Sequence, residues 1–229
     1  MDRIILIETS TALCSTALLE DGKIISYREN ANREHSSLTA PFIKEMLEEH
    51  GLKVKDCNAV CVSMGPGSYT GLRVGVSTAK GLCFGAGIPL LAVSSLEILA
   101  AGAIDKGLAG ADFKYIVPMV DARRMEVYTT VFDTERKRLT EITPMIIDEN
   151  SFQKELSEGK VLFIGDGAQK CKNVIKSPNA QFVQCSPDAS SMKNPALKEY
   201  QDKNFRDVAY FEPFYLKEFI TTVSKKKLF

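Results

Sequence analysis

The chain has 229 residues, of which 45% are hydrophobic and 25% charged, and its 29 basic and 29 acidic side chains cancel. This is an ordinary globular balance that supports a core without disulfides or metals, and a neutral chain is not by itself a strong nucleic-acid binder. No apolar run approaches the length of a membrane span, and Met1-Asp2-Arg3 leads straight into a strand without a signal-peptide layout, so a cytoplasmic protein is expected. "RIILIE" reads as a first strand, and "CSTALLE" and "KIISYRE" as a hairpin around Asp21-Gly22. A helix is expected from Ser37 to His50, its apolar stripe made by Leu38, Phe42, Ile43, Met46 and Leu47, with Gly51 ending it and Pro41 confined to its first turn or kinking it. Then follow the strand "AVCVS", a helix over Thr70–Phe84, the strand "IPLLAV" and a helix from Ser95, where Ser94 and Glu97 have capping-box spacing.

The second half repeats this order. "KYIVPMVDA", "EVYTTVFD" and "RLTEITPMII" read as strands, followed by a short helix from Ser151, the strand "KVLFIGD", a helix near Gly167, the strand "AQFVQC" and a last helical region around Ala196–Asn204. Each half is thus βββαβαβα, which predicts an α/β chain with two mixed sheets, helices on both faces, and two halves facing a cleft. The boundary is placed in the Ala/Gly-rich stretch 100–113, giving an N-terminal half over 1–103 and a C-terminal half over 104–229.

Several stretches could carry chemistry. Gly65-Pro66-Gly67-Ser68, between a strand and a helix, could offer backbone amides to an anion or be a tight turn in which Ser68 or Thr70 caps the helix. It is not the P-loop of nucleotide hydrolases, because no Gly-Lys-Ser/Thr follows. Gly71, Gly75 and Ala79 lie four apart on the next helix, with Thr78 and Gly85 adjoining the same side, and interior glycine costs roughly 1 kcal/mol relative to alanine, so another backbone must approach that face, either the chain's own sheet or a partner. Glu8 with Thr9, Ser10 and Thr11 could hold a metal and a phosphate or form a strand-end turn. Asp121, Arg123 and Arg124 in "DARRMEVY" could bind a substrate or pair among themselves. His35 reads as surface or loop and His50 as a helix C-terminal cation; neither has the second ligand that a metal site needs. The six cysteines, Cys14, Cys57, Cys61, Cys83, Cys171 and Cys185, read as reduced and mostly buried thiols. The run 225–227 of three lysines reads as a solvated tail. No G-x-S-x-G, no H-E-x-x-H and no Cys with a His partner occurs, so no common catalytic constellation is complete.

"ILIETSTALCSTALLEDG", "REHSSLTAPFI", "GPGSYTGLRVGVSTAKGL", "VSSLEILA", "DARRMEVY" and "PFYLKEF" occur in the order found in the TsaB (YeaZ) family, which this sequence resembles over nearly its whole length, most closely over 4–100. The resemblance implies the actin/Hsp70/sugar-kinase (ASKHA) fold, with two RNase H-like halves. It implies kinship with TsaD, which transfers a threonylcarbamoyl group to an adenosine of tRNA and binds a metal through a His-x-x-x-His pair that this sequence lacks. It further implies a non-catalytic subunit that binds and activates a TsaD-like paralogue together with a TsaE-like ATPase, forms homodimers, touches tRNA only through the complex and needs no cofactor or metal of its own, with ATP or ADP a candidate at a subunit junction. The interface expected from it is Leu38, Phe42, Leu72, Gly75, Val76, Ala79 and Leu82. A vestigial phosphate loop is expected at Glu8, Ser10, Thr11, Gly65, Gly67, Ser68, Thr70 and Gly71. Glu8 departs from the Asp usual in the family, which puts an inherited metal geometry in doubt. An ATP-dependent phosphoryl- or carbamoyl-transferring enzyme using Glu8, Ser10 and the 65–71 loop is the alternative; the old glycoprotease label gives peptidase chemistry no residues here.

Overall fold

The computed structural model describes residues 2–32 and 34–216. The first sheet is built from β1 (Arg3–Glu8), β2 (Cys14–Glu20), β3 (Lys23–Asn30), β4 (Ala59–Ser63) and β5 (Leu90–Val93), in the order β3-β2-β1-β4-β5. β1 is antiparallel to β2 and parallel to β4, as a hairpin followed by helical crossovers requires. Asp21 and Gly22 both take left-handed backbone angles, the geometry that the Asp-Gly hairpin signal anticipates. The central strands read as continuous apolar runs because both faces are covered. Ile5, Ile7, Leu18, Val60 and Val62 face one layer, while Ile4, Leu6, Ala17, Leu19 and Cys61 face the other.

The first layer is α1 (His35–Glu49) and α2 (Tyr69–Ala86). α1 starts two residues before the expected Ser37, so Pro41 lies in its second turn rather than its first. α2 continues past Phe84 to a left-handed Gly87, whose N–H donates to Cys83 O at 2.9 Å. The second layer contains α3 (Ser95–Asp105), buried on nearly every side. Ser94 caps it by accepting from Leu96 N at 3.2 Å. α3 is apolar all round because it is shared: Ile98 packs with the first sheet, and Ala100 and Ala103 pack with Ile116 and Leu162 of the second.

The second sheet has β6 (Phe113–Asp121), β7 (Glu126–Thr129), β8 (Phe132–Asp133), β9 (Thr143–Ile146), β10 (Lys160–Ile164) and β11 (Ala180–Val183), in the order β11-β10-β6-β7-β9 with β8 also on β6. The expected strand "EVYTTVFD" is two strands, since 126–129 pairs the end of β6 and 132–133 its beginning. "RLTEITPMII" shrinks to the four residues of β9. The helices of this half are short: α4 (Gln153–Glu158) and the single turn α5 (Ala168–Cys171). α6 (Lys193–Gln201) corrects the expected boundary. Ala189, Met192 and Ala196 pack with Ile4, Leu6 and Leu19, so the chain after Asp188 returns to the first sheet and the C-terminal half is not a contiguous 104–229. The six cysteines are free, five of them buried and Cys185 half-buried. The lysines at 225–227 and the end of "PFYLKEF" lie outside the described residues. No helix among the described residues is long and apolar enough to cross a membrane.

Candidate functional site: a closed loop and an open helix face

Glu8 ends β1 and Ser63 ends the neighbouring parallel strand β4, where Ile7 pairs with Val62. Both residues are fully buried, as are Thr9 and Ser10, with Thr11 nearly so. Ser10 N donates to Glu8 Oε1 at 2.5 Å. Among the described residues, Glu8 Oε2 and the hydroxyls of Ser10, Thr11 and Ser63 have no hydrogen-bond partner. Burial pushes the Glu8 carboxyl up to about 7, against the opposing pull of its Ser10 and Ser63 neighbours.

The 65–71 loop closes onto this turn. Ser68 N donates to Ser10 O at 2.6 Å, and Thr9 Oγ1 donates to Gly71 O at 2.8 Å. A Cβ on Gly67 would sit 2.2 Å from Ser10 O, and one on Gly71 2.1 Å from Thr9 O. Glycine is required at both because backbone meets backbone there. Ser68 caps α2 by accepting from Gly71 N at 3.3 Å, and Ser68 and Thr70 face solvent. Gly65 is buried, its O accepting from Ser95 N at 3.0 Å. Glu8, Ser10, Gly67, Ser68 and Gly71 are therefore brought together, with the carbonyl oxygens of Ser10 and Thr9 packed against Gly67 and Gly71. Among the described residues, no three His, Cys, Asp or Glu side chains converge as a metal-binding group.

His35 is not on the surface. It opens α1, is buried, and its Nε2 donates to Thr11 O at 2.8 Å, so it ties α1 to the turn after Glu8. His50 sits at the C-terminal end of α1, where it was expected.

The expected interface divides in two. Leu72, Gly75, Val76 and Ala79 are buried within the chain's own core. A Cβ on Gly75 would meet Thr9 Oγ1 at 2.3 Å and Val62 Cγ2 at 3.4 Å, so its smallness serves β1 and β4 rather than a partner. These four residues are corrected out of the interface, since a side chain enclosed in its own core has no surface to offer. Leu38, Phe42 and Leu82 are half-buried, Leu82 packing against the same core as Val76 and Ala79. Gly85, grouped by sequence with Gly71 and Gly75, is open instead, and Gly81 was missed: among the described residues a Cβ on either would have nothing within 4 Å, and Phe84 between them is 86% exposed. The signal was available, because six residues at 100° per residue carry Gly81 far around the helix from Gly75.

On the remaining flank of α2, residues 209–215 lie against the helix. Lys80 Nζ donates to Ala209 O and Phe211 O at 3.0 and 3.1 Å, Arg73 stands 4.0 Å over the Tyr69 ring, and Arg73 Nε donates to Tyr215 OH at 3.3 Å. A groove of about 300 Å³ lies between helix and segment. Asp121 accepts from Arg123 N at 2.8 Å and pairs with Lys170, away from the Glu8 cluster in sequence and on the other sheet.

A family model described as "TsaD: tRNA N6-adenosine threonylcarbamoyltransferase" matches residues 24–224. The chain is 31% identical to the tRNA threonylcarbamoyladenosine biosynthesis protein TsaB of Escherichia coli, over 99% of this chain and 98% of that one. Its fold superposes on YeaZ from Pseudomonas aeruginosa with a TM-score of 0.83 at 24% identity, over 94% of this chain and 100% of that one. It also aligns with the activator of 2-hydroxyisocaproyl-CoA dehydratase from Clostridium difficile, at a TM-score of 0.50 and 11% identity over 90% and 98% of the two chains, consistent with the ASKHA architecture of two mixed sheets. The chain belongs to the TsaB (YeaZ) family, related to TsaD and involved in forming threonylcarbamoyladenosine in tRNA.

Proposed function

We propose that this chain is a non-catalytic cytoplasmic subunit of the machinery that makes N6-threonylcarbamoyladenosine in tRNA, and that the outer face of α1 and α2 binds and activates a threonylcarbamoyltransferase paralogue. The observation that carries this reading is the pair Gly81, in the interior of α2, and Gly85, in its last turn. An interior glycine costs roughly 1 kcal/mol of helix stability relative to alanine, and among the described residues nothing lies within 4 Å of where a Cβ would sit at either one. A partner backbone approaching closely explains them, with Leu38, Phe42, Leu82 and the exposed Phe84 as its apolar border. The closed 65–71 loop supports a structural rather than a catalytic role for the old phosphate turn, and ATP or ADP is assigned to a junction of the assembly rather than to this loop. A second copy can use the same face when the paralogue is absent, and the ATPase joins the assembled pair.

The test is co-elution with the organism's own threonylcarbamoyltransferase on size exclusion. Gly81→Arg should abolish the heterodimer while leaving the melting temperature of the isolated chain at or above its original value. An intact complex would overturn the interface. Micromolar ATP affinity with turnover by the isolated chain, measured by calorimetry, would favour the transferring-enzyme alternative.

A further inference from the structure

The hairpin between β6 and β7 ends in two arginines whose guanidinium groups are unused among the described residues. Arg123 and Arg124 both take left-handed backbone angles, φ 71° and 51°, a region that side chains with a Cβ disfavour. The tip is held there by named contacts. Arg123 N donates to Asp121 Oδ1 at 2.8 Å, Glu126 N donates to Arg123 O at 3.1 Å, and Ala122 N donates to Glu126 O at 3.1 Å. Lys170, from α5, donates to Glu126 O at 2.6 Å and pairs with the Asp121 carboxylate. Asp166 Oδ1 accepts from Asp121 N at 2.9 Å. The carboxylates of Asp121 and Asp166 are therefore answered by groups other than the arginines. Both arginines are exposed, and neither guanidinium has a hydrogen-bond, ion-pair or ring partner among the described residues.

We propose that Arg123 and Arg124 contact phosphodiester groups of RNA. A guanidinium is permanently charged and presents a planar fork of donors that matches phosphate oxygens, and here two are displayed side by side on a clamped backbone. Strain retained by surrounding contacts is a pattern of functional sites. Two cations give a local contribution, which suits a chain whose overall charge is zero. The inference rests on the proposed function, which brings an RNA to the assembly. The tip belongs to the second sheet, whereas the proposed partner face is made by helices of the first.

The test uses the chain co-purified with its threonylcarbamoyltransferase and titrated with a tRNA transcript at several salt concentrations. The double variant Arg123→Gly/Arg124→Gly removes both charges and suits the left-handed backbone, so the hairpin persists. Affinity should fall about ten-fold, and the slope of log K against log salt should become shallower by about 1.5. Arg123→Lys/Arg124→Lys should restore most of the slope. Unchanged affinity and slope in the glycine variant, with co-elution intact, would overturn this inference alone. Loss of co-elution in the glycine variant would make the tip a contact for a protein carboxylate and overturn the RNA assignment. Failure of the unaltered chain to co-elute would overturn the partnership and this inference with it.

Discussion

Gly75 of α2 and Thr9 at the end of β1 touch with no room for a side chain: a Cβ at 75 would lie 2.3 Å from Thr9 Oγ1, which is itself fixed by its bond to Gly71 O. This contact sets how closely the helix lies on the sheet and holds the turn after Glu8 shut. Gly75→Val should therefore destabilise the isolated chain by roughly 2 kcal/mol through overpacking. The melting temperature should fall by about 4–8 °C for a domain of this size. A thermal melt with no loss would mean that the helix shifts freely and that the close contact is not structural.

Gly81 predicts the reverse. Gly81→Ala meets open space, so the isolated chain should gain up to about 1 kcal/mol from helix propensity. Its affinity for the paralogue should weaken in the same preparation. Denaturant melts and a titration of the pair read the two effects separately, and a variant that is both more stable and equally well bound would remove Gly81 from the interface.

Glu8 should make stability depend on pH. Its carboxyl titrates near 7 in the folded chain against 4.5 ordinarily, so between these values the folded state holds a proton that the unfolded state has released. Stability is then greatest below pH 4.5 as far as this group is concerned, and it is lost as pH rises through 7. The loss is about 3 kcal/mol, an order of magnitude only. Glu8→Gln keeps the shape, and its amide can donate to the unpartnered hydroxyl oxygens beside it. Urea melts from pH 5 to 8 should show a falling trend in the original chain and a flatter one in the variant; parallel trends would exclude Glu8 as the cause.

Asp188 should behave with the opposite sign. Burial works against its ionisation, but hydrogen bonds and charge from Lys106, with the Ser190 and Ser191 hydroxyls, hold it below its ordinary 3.8. It accepts from Lys106 Nζ at 2.6 Å and from Ser191 N at 3.0 Å, so it fastens the returning chain to the end of α3. Its contribution is present above pH 3.8 and is lost as pH falls through the lowered value. Asp188→Ala should cost about 2 kcal/mol at pH 7, and the difference should shrink toward pH 2. A gap that stays constant over that range would assign the loss to packing.

Much of the architecture was readable from period and punctuation. The two-sided apolar strands around Ile5 and Val60, the Asp21-Gly22 turn and the all-apolar helix from Ser95 each follow from local chemistry. The second half was harder. Strands with one covered face and short helices such as α4 and α5 carry too few residues for a period to emerge, so "EVYTTVFD" read as one strand when pairing with both ends of β6 divides it. Of the site, the meeting of Glu8, Ser10 and the 65–71 loop was visible as a strand end facing a glycine loop. The burial of His35 was not, because a single histidine between charged residues carries no signal for the carbonyl it will meet.

The sequence alone determined the class of fold, the βββαβαβα order of the first half, the family, and that some backbone must come close to the glycines of α2. Only the tertiary structure decided which backbone. At Gly67, Gly71 and Gly75 the near neighbour is the chain's own turn at Thr9 and Ser10, while no described residue comes within 4 Å of a Cβ at Gly81 or Gly85. Periodicity says which residues share a helix face, but what covers that face depends on elements distant along the chain. The same reason hid the return of 189–201 to the first sheet: a short amphipathic helix does not encode which of two sheets it will cover.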